Sequence, residues 1–330
     1  MISRRAYLAI SALGLLVAPL AAAAQQPPAR VARVGVFALS PREPGSPSMR
    51  AFFAQLREMG YLEGQNLVIE YRHALDKEGY RGLANELVAL KADVIFAGDP
   101  YALRASREAT ASIPIVAYDL ESDPVASGFA ASLARPGGNI TGAFLDQPEL
   151  SAKQLQLLRE AVPRLTRVAV LWDSPAAELQ FTAVEEAAQK LGMRVHSIVW
   201  RGPGELPDAF RRATRDGAQA LIVLSSPQFS SLDRVRRLIV DAALRSRLPS
   251  IYLQSAFAEA GGLMAYGPDQ IELRRSAAKL VARILAGASP GELPIERPTR
   301  FDFVINAKTA KALGLTLPPS LVYRANRILD

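Results

Sequence analysis

The sequence predicts an α/β fold of two similar lobes, each built on a parallel sheet. Three observations carry this. Past Arg30, short β-branched runs alternate with helical patterns, as in βαβ units. At 330 residues, with 49% hydrophobic and 22% charged residues, the chain is long enough for about two domains and apolar enough to give each a core. The two halves also resemble each other. RVGVFALSP at residues 33–41 aligns without gaps to RVAVLWDSP at 167–175. ADVIFAGDP from Ala92 then parallels QALIVLSSP from Gln219, and IPIVAY from Ile113 parallels LPSIYL from Leu248.

In the first half, β-branched and aromatic runs predict strands at 33–38, 67–71, 94–97, 115–118 and 140–144. Helical periodicity between them predicts helices at 48–59, 78–90 and 102–110. The second half repeats the plan, with strands at 168–172, 195–200, 220–224, 250–253 and 263–265. Its helices are expected at 177–191, 205–216, 229–246 and 271–286. In the first two internal matches a strand is followed by Ser or Asp and then by Pro, which is helix-start chemistry: a capping oxygen, then a residue that needs no N–H donor.

The first residues read differently. Arg4 and Arg5 precede an apolar segment from Leu8 to Leu20, which is shorter than the roughly 20 residues that span a bilayer. It ends in Ala21-Ala22-Ala23-Ala24-Gln25, a small-residue cleavage signal, so residues 1–24 are expected to be a signal peptide, possible in twin-arginine form. Cleavage would remove Arg4 and Arg5 and lower the formal charge from +7 to about +5. That charge is spread along the chain. The cluster Arg234, Arg236 and Arg237 lies on a helical pattern as a solvated face, so no nucleic-acid partner is expected. The absence of cysteine excludes disulfides, thiolate metal sites and a lipidated cysteine. The expectation is a periplasmic protein, not inserted in the membrane after cleavage, and monomeric.

Gly137 and Gly142 in PGGNITG fit the first half of a phosphate-binding loop, but Ala143 and Phe144 stand where Lys and Ser/Thr are required. The stretch also leads into a strand rather than out of one, so it reads as a glycine-led strand entry. Past it, at Asp146-Gln147-Pro148, the chain is expected to cross to the second lobe. His73 and His196 lie at or in predicted strands with no second ligand close in sequence. Asp123, followed by Pro124, reads as a helix cap or, with Glu121, as a carboxylate pair. No catalytic constellation emerges; no enzyme activity, metal or cofactor is expected.

GYLEGQNLVIEYR (60–72), DPVASGFAASLARPGGNITG (123–142), GGLMAYGPD (261–269) and FVINAKTAKALGLTLPPSL (303–321) resemble the ABC-transporter substrate-binding family that includes tryptophan and other aromatic amino-acid binders. The similarity runs from about Val31 to Leu329. It implies a type I periplasmic-binding-protein fold: two Rossmann-like lobes joined by three hinge crossovers, with an inner-membrane permease and its ATPase as partners. On that basis the first lobe is expected at 31–145 plus 268–300, and the second at 146–267 plus 301–330. Members of the family usually carry Gly-Thr-Pro after the third strand. This chain has Gly98-Asp99-Pro100, so Asp99 is expected to disfavour an anionic ligand group and to favour an amine or a hydroxyl.

Ligands of open α/β sheets bind at the carboxyl ends of the strands. The residues there are Ser40, Asp99, Tyr118, Asp119, Trp172, Asp173, Ser225, Gln254 and Tyr266, the expected ligand-binding set. Tyr118, Trp172, Trp200 and Tyr266 supply either a ligand wall or core packing. The expected function is capture of a small molecule, an amino acid of aromatic or zwitterionic kind, with delivery to the permease. A ligand sensor coupled to a kinase or chemoreceptor is the alternative. A sugar-repressor-type regulator would need a DNA-binding module ahead of the first lobe, and an exported enzyme lacks its constellation.

Overall fold

The computed structural model describes residues 31–39, 45–74, 79–120, 123–173 and 177–330, Ser231 by its backbone alone. The first half runs β1 (Ala32–Ala38), α1 (Pro47–Glu58), β2 (Leu67–His73), α2 (Tyr80–Ala89), β3 (Val94–Ala97), α3 (Pro100–Ala109), β4 (Ile115–Ala117) and β5 (Ile140–Gly142). The second runs α4 (Gln147–Ala161), β6 (Arg167–Trp172), α5 (Glu178–Lys190), β7 (Arg194–Val199), α6 (Leu206–Arg215), β8 (Ala220–Val223), α7 (Pro227–Ser231), α8 (Asp233–Arg245), β9 (Ser250–Tyr252), α9 (Ser255–Glu259) and β10 (Met264–Pro268). Then follow α10 (Gln270–Leu285), β11 (Phe301–Asn306), α11 (Ala307–Leu313), α12 (Pro319–Arg324) and β12 (Arg327–Leu329).

Two sheets result. The first has the order β2-β1-β3-β4-β5 and is parallel throughout. The second has the order β7-β6-β8-β9-β10, extended by β11 and β12. Its first five strands are parallel and repeat the order of the first sheet; β11 pairs antiparallel with β10, and β12 runs parallel to β11. The internal sequence matches therefore pair β1 with β6, β3 with β8 and β4 with β9.

Both sheets are buried on both faces, which is why their strands read as continuous apolar runs. In the first, Val34, Val36 and Phe96 face α1 and α10, while Phe37 and Ile95 face α2 and α3. In the second, Val168, Val170 and Ile222 lie under α4 and α5, and Ala169, Leu171 and Val223 lie on the opposite side with α6 and α8. The helix α10 follows a strand of the second sheet yet packs on the first, giving Ala277, Ala278, Leu280 and Val281 to that core.

The chain thus passes between the sheets three times: from β5 to α4, from β10 to α10, and from α10 back to β11. The passages are tied together. Phe144 N donates to Glu296 O at 2.9 Å, Glu296 N to Gly142 O at 2.9 Å, and Asp269 N to Arg300 O at 3.0 Å. Arg297 adds ion pairs to Asp146 and, at 3.5 Å, to Glu149.

The helix expected at 229–246 is divided between α7 and α8, because Leu232 takes an extended conformation with φ −109° and ψ 102°. The helix α4 had no counterpart among the expected elements. It buries Leu150, Ser151, Gln154, Leu155, Leu157, Leu158 and Ala161, polar residues among them, so its apolar periodicity is blurred.

PGGNITG enters β5, as the motif's missing lysine implied. Gly137 has φ +79°, and Gly142 has φ +145° with its Cα against the Ala117 backbone, where a methyl group would overlap the carbonyl oxygen. Gly142→Ala is therefore expected to cost more than about 3 kcal/mol, since β4 must move as well as φ change. Gly137→Ala, whose added carbon would meet Ala131 Cβ at 3.7 Å, is expected to cost about 1 kcal/mol. Urea unfolding of the two variants checks the ranking; equal losses would contradict it.

Candidate functional site

The first two passages leave from the carboxyl ends of β5 and β10 and the third enters β11 beside the end of β10, so the sheets are joined along the edge at which ligands of such folds bind. In each sheet the strand order reverses there, between β1 and β3 and between β6 and β8. Asp119, just past β4, closes the junction. Its buried carboxylate accepts the Leu145 amide at 3.3 Å and Gln147 Nε2 at 2.9 Å, linking the first sheet to the first turn of α4.

On the first sheet, Ser40 lies outside the described residues, as does Glu121. Asp99 caps α3. One carboxylate oxygen accepts the Ala102 amide at 2.9 Å and the other accepts the Tyr80 hydroxyl at 2.9 Å. At 6% exposure, burial pushes its carboxyl above the usual carboxylate range. Both oxygens are engaged internally, which leaves the amine-facing role expected for Asp99 without a free acceptor atom. Tyr118 donates its hydroxyl to Gln270 Oε1, and burial pushes it up to about 12.

Two residues that the sequence reading passed over stand beside Tyr118, both from the first turns of α10. Gln270 is the acceptor just named, itself held by a 3.1 Å bond from its Nε2 to Pro268 O. Arg274 lays its guanidinium 4.0 Å from the Tyr118 ring centroid and 5.1 Å from that of Phe96. Gly98 lies beside it, but a Cβ there would press on Ala38 Cβ at 3.0 Å and Phe37 O at 3.1 Å rather than on the guanidinium. Neither residue is near the first sheet's strand ends in sequence. Only the return of the chain to the first sheet brings them there.

On the second sheet, Trp172 ends β6 as a half-buried indole stacked on Phe181 at 4.7 Å and 17°, its Nε1 donating to Ser197 Oγ at 2.8 Å. Asp173 is buried and accepts the Ser226 hydroxyl at 3.0 Å, a bond that spans the β6–β8 reversal. Ser225 is fixed through its backbone: its N–H donates to Gln180 Oε1 at 3.1 Å and its carbonyl accepts from Gln180 Nε2 at 3.4 Å. Gln254 is half-buried before α9 and makes no side-chain capping bond. Trp200 packs edge-on against Phe229 at 5.2 Å and donates to Gln228 at 3.1 Å, serving the core.

Tyr266 lies within β10 rather than past its end. Its ring stacks on Phe301 at 5.9 Å and lines a surface cavity of about 670 Å³ with Asp146, Lys153 and Arg297. Burial, then the charge of Glu149, raise its hydroxyl.

Asp123 accepts the amides of Val125 and Ala126 at 3.0 and 2.9 Å in a turn; no helix follows it before β5, so the expected helix cap is a turn bond instead. His196 Nδ1 stands 3.5 Å from Asp216 at the surface. Among the described residues no group of three metal-ligating side chains occurs, and no helix is long and apolar enough to cross a membrane. The arrangement offers rings, amide groups and a guanidinium at the strand ends of the two sheets, which suits binding of a small polar molecule.

Known proteins share this plan. A family model described as ABC transporter substrate binding protein matches residues 47–329. The tyrosine-binding protein of Clostridioides difficile (strain R20291) is 25% identical over 269 residues, 81% of this chain and 76% of its own length. Among solved structures, a conserved domain protein from Vibrio cholerae O1 biovar El Tor has TM-score 0.81 at 24% identity, covering 91% of this chain and all of that one. The ABC domain in complex with L-Trp from Streptococcus pneumonia has TM-score 0.80 at 23% identity, covering 90% of this chain and 99% of its own.

The Asp99 environment generates a pH test. Its raised folded pKa means that its contribution to stability is full at acid pH and is lost as pH rises through that pKa. Asn keeps the cap acceptor without the charge, so Asp99→Asn is expected to gain in melting temperature over the parent as pH goes from 4 to 8. A constant difference across that range would contradict the buried-cap assignment.

Proposed function

This chain belongs to the family of ABC transporter substrate-binding proteins, and from that premise we propose that it captures an aromatic amino acid between its two sheets and delivers it to a membrane permease. The observation that carries the ligand class is the pair of fixed, half-buried rings at strand ends, one on each sheet: Tyr118 past β4, held by Gln270 and Arg274, and Trp172 at the end of β6, held by Phe181 and Ser197. Rings clamped in this way present a large apolar surface without losing side-chain entropy on binding. The tyrosine-binding relative and the L-Trp complex support the same class.

Capture then works by closure. A ligand touching both sheets gains contacts in the closed arrangement that the open one lacks, and this differential affinity shifts the population toward closure. The three passages are the only covalent links between the halves, so they are where φ and ψ change. The Asp119 bracket keeps the junction in register while they do. The closed form docks on the permease, whose ATPase drives release. We place the protein in the periplasm, exported by the segment at 1–24 and free of a membrane anchor after cleavage.

Micromolar affinity requires about −8 kcal/mol, which two ring contacts and a few charge-assisted hydrogen bonds can supply. L-tyrosine, L-tryptophan or L-phenylalanine at 100 times its Kd is therefore expected to stabilise the fold by about 2.7 kcal/mol, visible as a rise in melting temperature. Trp172→Ala is expected to weaken that ligand by about tenfold or more in calorimetric titration. A panel in which only aliphatic amino acids or sugars raise the melting temperature would overturn the aromatic assignment.

A further inference from the structure

Arg274 is the unexplained charge of the first sheet. It projects from the second turn of α10 to the ends of β3 and β4, with its guanidinium on the Tyr118 ring. Its Nε and Nη1 are enclosed and make no hydrogen bond, and its Nη2 has only a long 3.4 Å contact to Gly98 O. Among the described residues no carboxylate reaches it as an ion pair. Asp99, close enough to be felt, has both oxygens engaged by Tyr80 and Ala102. Burial pulls the guanidinium below its usual pKa, without bringing it near neutrality for a group of this kind.

A guanidinium in such a place is costly. Enclosed N–H donors without partners carry their full desolvation penalty, and ring contacts answer only part of the charge. A purely structural role would be met more simply by an apolar side chain, as at Ala277, Ala278 and Val281 on the same helix. The residue as a whole is only half-buried, so it remains approachable from one side. Its position is the reversal point of the first sheet, where an incoming ligand group arrives.

We propose that Arg274 is the specificity-determining anchor for a carboxylate of the bound ligand. The inference rests on the amino-acid reading above and deepens it: the aromatic side chain takes the rings, and the carboxylate compensates Arg274. It also reverses the polarity expected from Asp99, because the charge left to be met at this edge is positive.

The test is calorimetric titration of the parent and of Arg274→Gln and Arg274→Lys with L-tyrosine, L-tryptophan, L-leucine and succinate, and with tyramine and tryptamine, which lack the carboxylate. The parent is expected to bind the aromatic acids about 10- to 100-fold more tightly than the amines, and Arg274→Gln to lose most of that discrimination. Arg274→Lys keeps the charge but not the fork, and should retain part of it. If the parent binds tyrosine and tryptophan while Arg274→Gln keeps both affinity and discrimination, the anchor is wrong and the aromatic reading stands. If leucine or succinate is the ligand and Arg274→Gln abolishes it, the anchor stands and the aromatic reading falls. A parent that binds the amines as well as the acids, or none of the carboxylates, overturns the anchor. That comparison needs no variant and holds even if Arg274→Gln does not fold.

Discussion

Asp119 accepts one bond from the Leu145 amide and one from the Gln147 side chain, and through them the end of β4 is fixed to the start of α4. Without such a bracket, two sheets joined by three passages could meet at many angles. With it, the carboxyl edges of both are held at one junction, and every strand-end residue discussed above inherits its position from that constraint. The carboxylate can serve because it is buried, where its bonds are electrostatically strong, and because each of its oxygens accepts from a donor.

Around this junction the two sheets share a strand order but differ in how they stabilise its reversal point. In the second sheet a single side-chain hydrogen bond closes it, Ser226 donating to Asp173. In the first, Asp99 turns inward to Tyr80 and the cap of α3, and an arginine from α10 fills the space beside Gly98. The asymmetry suits a ligand with distinct ends. The same α10 that seals the first core with Ala277 to Val281 brings Arg274 and Gln270 to Tyr118, so packing and recognition are carried by one helix.

Much of the fold was legible in the sequence because parallel strands buried on both faces read as unbroken apolar runs, and because Ser or Asp followed by Pro marks helix starts at Asp99 and Ser226. The repeated RVGVFALSP and RVAVLWDSP predicted two similar sheets, and β1 and β6 occupy equivalent places. The helix α4 escaped because polar Ser151 and Gln154 are buried on it alongside its leucines. At the candidate site the sequence located strand ends but not side-chain partners. It placed Asp99 toward a ligand, where Tyr80, nineteen positions earlier, engages it instead. It could not find Arg274, which is 176 residues from Gly98 and reaches it only because the chain returns to the first sheet.

The central claim, that two bracketed sheets close on a small ligand, is most directly tested by a distance across the junction. The chain has no cysteine, so spin labels at Glu108→Cys on α3 and Arg237→Cys on α8 would report only that separation. Pulsed dipolar spectroscopy without ligand and with saturating L-tyrosine or L-tryptophan is predicted to show the distribution narrowing and moving to shorter distance. An unchanged distribution, with binding confirmed on the same labelled sample, would contradict closure as the mechanism of capture.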